Sequence, residues 1–205
     1  MNSTSMPGSR ERGGLRGAVP LCHYFLRERV RHGDRVVDAT CGNGQDTLLL
    51  AELVGETGRV WSFDIQEEAV ARTRERVNAA GWGGRVELVL AGHENLAALV
   101  AGPLRAVVFN LGYLPAGDRE VRTGGTTTVT ALDQAADLLA PEGIVLLAVY
   151  TGHEGGMEEW EAVRGWCAGL EPKQFNVWQA RQLNRSAAAP FVVVVEKVAS
   201  RFTPA

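Results

Sequence analysis

An acid-flanked glycine turn is the first segment whose residue types and spacing could do chemistry. Val36-Val37-Asp38-Ala39-Thr40-Cys41-Gly42-Asn43-Gly44-Gln45-Asp46 runs from a hydrophobic strand through a Gly-x-Gly turn into a helix. Glycines there let the backbone approach a ligand, and the helix start offers free N–H groups. Asp64 follows 20 residues after Gly44, at the end of the next apolar segment. A carboxylate at that place can accept both hydroxyls of an adenosine ribose. A dinucleotide-binding turn has a third glycine that packs helix on strand, and here that position is Thr47. Asp38 and Asp46 add negative charge, which repels a pyrophosphate but attracts a sulfonium and an α-amino group. The charge pattern therefore favours S-adenosylmethionine over NAD. A plainer reading stays open: a tight strand–helix turn, with Asp46 complementing the helix dipole.

Transfer of a methyl group from a sulfonium is an in-line displacement, so the acceptor nitrogen must be held beside the methyl with its lone pair aligned. Asn110-Leu111-Gly112-Tyr113, at the end of a later strand, suits that task. The Asn110 side-chain oxygen and the Leu111 carbonyl can orient an amine, Tyr113 can stack on a base or a cation, and Asp118 can steer an ammonium. An aliphatic ammonium must first lose a proton. His93 and His153 each follow a strand at the carboxyl edge, where α/β sheets place their sites. Each reads as a base or, more plainly, as a packing or loop-capping residue. His23 and His32 read as surface residues. Cys41 reads as a packing residue and not a nucleophile.

These residues must be carried by regular elements. Strands are expected at 35–40, 59–64, 85–91, 104–111, 144–150, 173–183 and 191–197. Helices are expected at 21–30, 46–54, 67–80, 95–99, 128–139 and 157–169. The first has its inner face at Leu21, Tyr24, Phe25 and Leu26; Thr123–Thr128 opens the fifth with a Thr N-cap. Alternating strands and helices imply right-handed crossovers and a mostly parallel sheet covered on both faces. The last two strands lack a helix between them, so they close as a hairpin with one antiparallel strand. We expect one domain over 18–205. Residues 1–17 are polar, with Arg10, Arg12 and Arg16, and read as a disordered tail or a basic arm.

The chain has 205 residues, 45% of them hydrophobic and 22% charged, which excludes a disordered or collagen-like chain. Its net charge of −3 provides no global field for nucleic acid. RNA contact therefore needs a local basic patch, for which Arg119, Arg122, Lys173, Arg181 and Arg185 are candidates. Trp160, Trp166 and Trp178 read as core or rim packing. Three cysteines cannot pair completely and show no zinc-ligand spacing. A reducing cytoplasm fits them, and no metal site is expected. The longest apolar runs are far short of the ~20 residues of a membrane helix.

The strings DATCGNGQDT, WSFDIQ and FNLGYLPAGD resemble class I S-adenosylmethionine-dependent methyltransferases. More narrowly, residues 18–198 resemble the bacterial rRNA methylase family. Its members are understood to methylate the aminomethyl group of 5-aminomethyl-2-thiouridine at tRNA anticodon position 34. The resemblance implies a Rossmann-like α/β fold: one seven-stranded sheet in the order 3-2-1-4-5-7-6, its last strand antiparallel. It implies S-adenosyl-L-methionine as cofactor and the tRNA anticodon stem-loop as partner, and leaves a homodimer open. Asp38, Gly42, Asn43, Gly44, Asp46 and Thr47 would surround the methionine end. Asp64 would hold the ribose, Ile65 and Gln66 would flank the adenine, and His93 and Glu94 would close its far side. Asn110 and Leu111 would face the methyl group. The amine-methylating motif has two prolines where this chain has Leu111-Gly112. Their absence argues against a base or protein amide as acceptor and leaves an aliphatic amine. Three other readings remain: a methyltransferase for rRNA or a small-molecule amine, a non-catalytic nucleotide-binding module, and an NAD oxidoreductase.

Overall fold

The structure, a computed structural model, describes residues 14–111 and 124–199. In chain order its elements are α1 (Ala18–Arg29), β1 (Arg35–Asp38), α2 (Gln45–Val54), β2 (Arg59–Asp64), α3 (Glu67–Ala79) and β3 (Val86–Leu90). A single 3₁₀ turn at His93–Asn95 leads into α4 (Leu96–Leu99). Then come β4 (Leu104–Leu111), α5 (Gly125–Leu138), β5 (Leu139–Val149), α6 (Gly156–Gly169), β6 (Phe175–Ala180) and β7 (Phe191–Lys197). The seven strands form one sheet in the order β3-β2-β1-β4-β5-β7-β6. Only β7 runs against its neighbours, pairing antiparallel with both β5 and β6. Class, order and the reversed strand all match the expectation.

The alternation of side chains along each strand feeds two cores. Val37, Val107, Phe109, Val145 and Leu147 point to the side packed with Leu96, Leu132, Trp160 and Val163. Val36, Ala106, Val108, Ile144 and Leu146 point to the other side, against Leu26, Leu50 and Val54. Both faces are buried, so the central strands read as continuous apolar runs. Each fully buried Val, Leu or Phe contributes roughly 1.5–3 kcal/mol.

Three elements start three or more residues earlier than expected, each for a physical reason. The first helix starts at Ala18, because Pro20 is tolerated in a first turn whose N–H groups have no intrahelical partner. Its buried stripe is Ala18, Cys22 and Leu26, while Tyr24 is exposed. The fifth helix starts at Gly125 with Gly124 as N-cap and no side-chain cap, so Thr128 is not the cap. Gly125 marks close packing and not a loop: a Cβ there would lie 3.0 Å from the Ala162 Cβ on α6. The fifth strand begins at Leu139, ahead of the expected 144, and runs through Pro141-Glu142-Gly143. A register shift against β4 between Leu104 and Ala106, with Glu142 at φ 62°, absorbs the irregularity as a bulge.

Candidate active site

The parallel strands deliver Asp38, Asp64, Asn110 and Tyr150 to one edge of the sheet. The turn after β1 needs left-handed backbone at Gly42 and Gly44, at φ 49° and 75°. Gly44 is also boxed in, since a Cβ there would meet Thr73 Oγ1 at 2.9 Å. The half-buried Asp64 closes the turn: its carboxylate accepts from Gly42 N–H at 2.9 Å and from Gln66 N–H at 3.0 Å. Oδ1 keeps a second lone pair, and Oδ2 also receives a weak 3.9 Å contact from the Cys41 thiol. Beside it, the apolar Ile65 side chain is 54% exposed. Asn43 is turned toward α3, where Arg72 donates to its side-chain oxygen and Arg76 to its backbone oxygen.

Two residues expected around the ligand lie beneath the turn. Asp38 and Thr47 are wholly buried. Thr47 Oγ1 lies 2.6 Å from Asp38 Oδ2 and 2.5 Å from Ser62 Oγ, and Thr40 N–H donates to Asp38 Oδ1. Burial, reinforced by the nearby Asp46 charge, pushes the Asp38 carboxyl up to about 7. A carboxyl raised in the folded state favours folding below its ordinary value, and that benefit is lost as pH rises through about 7. Asp38→Asn can keep the hydrogen bonds without the buried charge. We therefore expect its thermal midpoint to overtake the wild type increasingly from pH 4.5 to 8, by the equivalent of about 2–4 kcal/mol at most. Thermal melts across that range check this; a gap independent of pH overturns it.

Asp46, in the first turn of α2, is 5% exposed and joins two other elements. Asn110 Nδ2 donates to Asp46 Oδ2 at 3.0 Å, and the Asn110 backbone N–H donates to Thr40 Oγ1 at 2.8 Å. The other oxygen, Oδ1, lies 2.5 Å from His23 Nε2. A carboxylate only accepts hydrogen bonds, so it holds the amide with its oxygen turned away. His23 is thus not the surface residue expected. The spacing of Ala18, Cys22 and Leu26 could have found it, since it puts His23 on the border of the buried stripe. Tyr150, half-buried near Asp46, was also missed; burial first, then Cys22 and Asp46, push its phenol up. The Leu111 side chain is buried, leaving only its backbone to face a ligand.

The two histidines considered as bases are otherwise engaged. His93 is buried, with Nδ1 3.2 Å from the Ala39 carbonyl and its ring edge-on to Phe109 at 5.6 Å. Burial pulls its pKa below the ordinary value, so it is held neutral. His153 has Nδ1 2.9 Å from the Glu154 carbonyl, and its ring packs where a Gly156 Cβ would stand. Glu94 folds over Gly92, and its backbone oxygen accepts from Gln134 at 2.7 Å. Burial pushes the Cys41 thiol up, which makes it inert.

Three threonine hydroxyls along the start of α5 are spent internally. Thr127 Oγ1 donates to the Gly124 carbonyl, Thr130 Oγ1 to that of Thr126, and Thr128 Oγ1 to the buried Glu159. The expected basic patch divides. Arg181 and Arg185 follow β6 at the site edge, whereas Lys173 lies in the turn before it, ~20 Å away along the strand direction. Trp160 packs edge-on against Phe191 in the core, Trp166 donates to Asp133, and Trp178 is 68% exposed on β6. Tyr113, Asp118, Arg119, Arg122, Thr123 and most of the expected tail (1–13) lie outside the described residues.

The residues present fit S-adenosylmethionine. A carboxylate with spare lone pairs suits ribose hydroxyls, and the bare Ile65 face beside it suits an adenine ring. No helix among the described residues is long and apolar enough to cross a membrane. A family model described as "Putative rRNA methylase" matches residues 60–196. The chain is 34% identical over 194 residues to the Arabidopsis thaliana protein named tRNA (mnm(5)s(2)U34)-methyltransferase, chloroplastic, covering 90% of this chain and 71% of that one. Among solved structures, a "putative rRNA-methylase" from Clostridium thermocellum superposes with a TM-score of 0.87 at 40% identity, over 90% of this chain and 100% of that one. A "putative methyltransferase" from Streptococcus mutans in complex with SAH gives 0.81 at 34% identity, again over 90% and 100%.

Proposed function

The chain belongs to the "Putative rRNA methylase" family and is an S-adenosyl-L-methionine-dependent methyltransferase; from that premise we propose that its acceptor is the aminomethyl nitrogen of 5-aminomethyl-2-thiouridine at tRNA position 34. The carrying observation is the pinned Asn110 amide. Its nitrogen is committed to Asp46, so its oxygen faces the site as an acceptor. An acceptor there selects a nucleophile that carries a hydrogen to donate, as a primary amine does. The named function of the Arabidopsis relative supports the same acceptor.

The cofactor, when bound, supplies an electrophilic methyl group on a sulfonium. Asp64 would hold the ribose hydroxyls, the Ile65 side chain would take the adenine, and the backbone of Gly42–Gly44 would take the methionine end. Asp38, Thr47 and Ser62 brace the turn from below. Asn110 holds the amine by one N–H so that its lone pair stays free.

RNA contact falls to Arg181 and Arg185. Asn110, Ala148, Val192 and Ala180 occupy one row across four strands, so Ala180 stands ~14 Å from Asn110. Arg181 follows directly, lying 3.7 Å over the Phe191 ring and donating to the Ala187 carbonyl. Cations at that distance can meet phosphates flanking a target nucleotide.

The test is to incubate the purified protein with S-adenosylmethionine and tRNA bearing 5-aminomethyl-2-thiouridine, then digest the tRNA and weigh its nucleosides. The expected product is heavier by one methyl group on the aminomethyl side chain. An unchanged nucleoside, with cofactor bound, discards the substrate and keeps the enzyme class.

A further inference from the structure

His23 comes from α1, ahead of the first strand, yet it shares the carboxylate of Asp46 with Asn110. The tautomer follows from the partner. A carboxylate only accepts, so Nε2 carries the hydrogen, and in the neutral ring Nδ1 then holds the lone pair. Among the described residues Nδ1 has no hydrogen-bond partner, and the side chain is 25% exposed. The ring borders an open groove with Arg27, Gln45, Glu52, Arg76 and Trp82. A base oriented by a third group, beside the group that holds the nucleophile, is the arrangement of an activating dyad.

We propose that His23 is the general base of the methyl transfer, its Nδ1 taking a proton from the substrate ammonium directly or through one water. The assignment rests on the aminomethyl acceptor proposed above. An N–H bond of the ammonium breaks, the proton goes to Nδ1, and the electron pair stays on the substrate nitrogen. That pair forms the new N–CH3 bond as the S–CH3 bond breaks with its electrons left on sulfur. Asp46 stabilises the imidazolium, which releases its proton to solvent along the groove. His93 and His153 do not compete: Nδ1 of each is directed at a backbone carbonyl, and the other ring nitrogen, Nε2, is buried away from solvent.

The ionisable groups around His23 are Cys22 and Arg27 on α1, Asp46 and Glu52 on α2, Arg76 on α3, and Tyr150 after β5. The experiment compares wild type with His23→Asn and His23→Gln on tRNA bearing 5-aminomethyl-2-thiouridine. We expect kcat at pH 7 to fall about 10²-fold or more, the low end of general-base effects. The KM for tRNA and the Kd for S-adenosylmethionine should stay within about threefold. The deficit should shrink toward about pH 9.5, where the free amine no longer needs a base. A nitrogen-15 histidine spectrum of the free protein should show His23 protonated at Nε2 and bare at Nδ1.

An unchanged kcat, a deficit constant up to high pH, or a proton on Nδ1 overturns the assignment. So does a matching loss of cofactor affinity, which would make His23 a structural residue. Wild-type enzyme inactive on this tRNA overturns the substrate reading and this assignment together. Active wild type with unaffected His23 variants overturns the assignment alone.

Discussion

Asp64→Ala should abolish cofactor binding, raising the dissociation constant by ~10²–10⁴-fold in a calorimetric titration. Two hydroxyl hydrogen bonds to a carboxylate contribute about 1.5–3 kcal/mol each, and every 1.4 kcal/mol is tenfold. The same side chain accepts from Gly42 and Gln66 N–H, so the substitution also loosens the turn. Thermal melts measure that second effect. Asp64→Asn separates the two, because its amide oxygen can still accept one backbone bond while half the ribose contact is lost. It should bind with an intermediate constant and melt closer to the wild type. Normal affinity in Asp64→Ala would refute the ribose assignment.

Asn110→Ala should act on the other term, lowering kcat by ~10²–10³-fold while the cofactor constant moves by less than about threefold. The loss has two parts. The acceptor for the substrate N–H disappears, and Asp46 loses the donor on one of its oxygens. Asn110→Asp isolates the electrostatics. It puts a second carboxylate 3.0 Å from the first, and two acids so close cannot both ionise freely. Its activity should therefore be low at neutral pH although the shape is kept. Single-turnover methyl transfer at saturating cofactor checks both variants. If Asn110→Ala turns over at the wild-type rate, the amide does not hold the nucleophile.

Fold and cofactor class were legible because their signals are local. The Gly-x-Gly turn, the acid at the end of the next strand, and the alternation of strand and helix each depend on spacing within a few dozen residues. The closing hairpin was legible for the same reason: no helix separates the last two strands. Boundaries were missed where glycine served packing rather than a turn, as at Gly125, and where a strand absorbed Pro141-Glu142-Gly143 as a bulge.

The roles of the acids and histidines depended on contacts between distant segments. By itself, the sequence determined that a carboxylate ends β2 beside a glycine turn, that an asparagine ends β4, and that the sheet is parallel with one reversed strand. These follow from residue type and short-range periodicity, which the chain carries wherever it folds. Only the tertiary structure decided that Asp38 is buried while Asp46 faces His23 and Asn110. It alone brought Arg181 to the site edge and left Lys173 at the other end of β6. The reason is geometric: residues 23, 46 and 110 meet only once α1 and α2 pack on one face of the sheet and β4 lies beside β1. No spacing along the chain encodes that meeting.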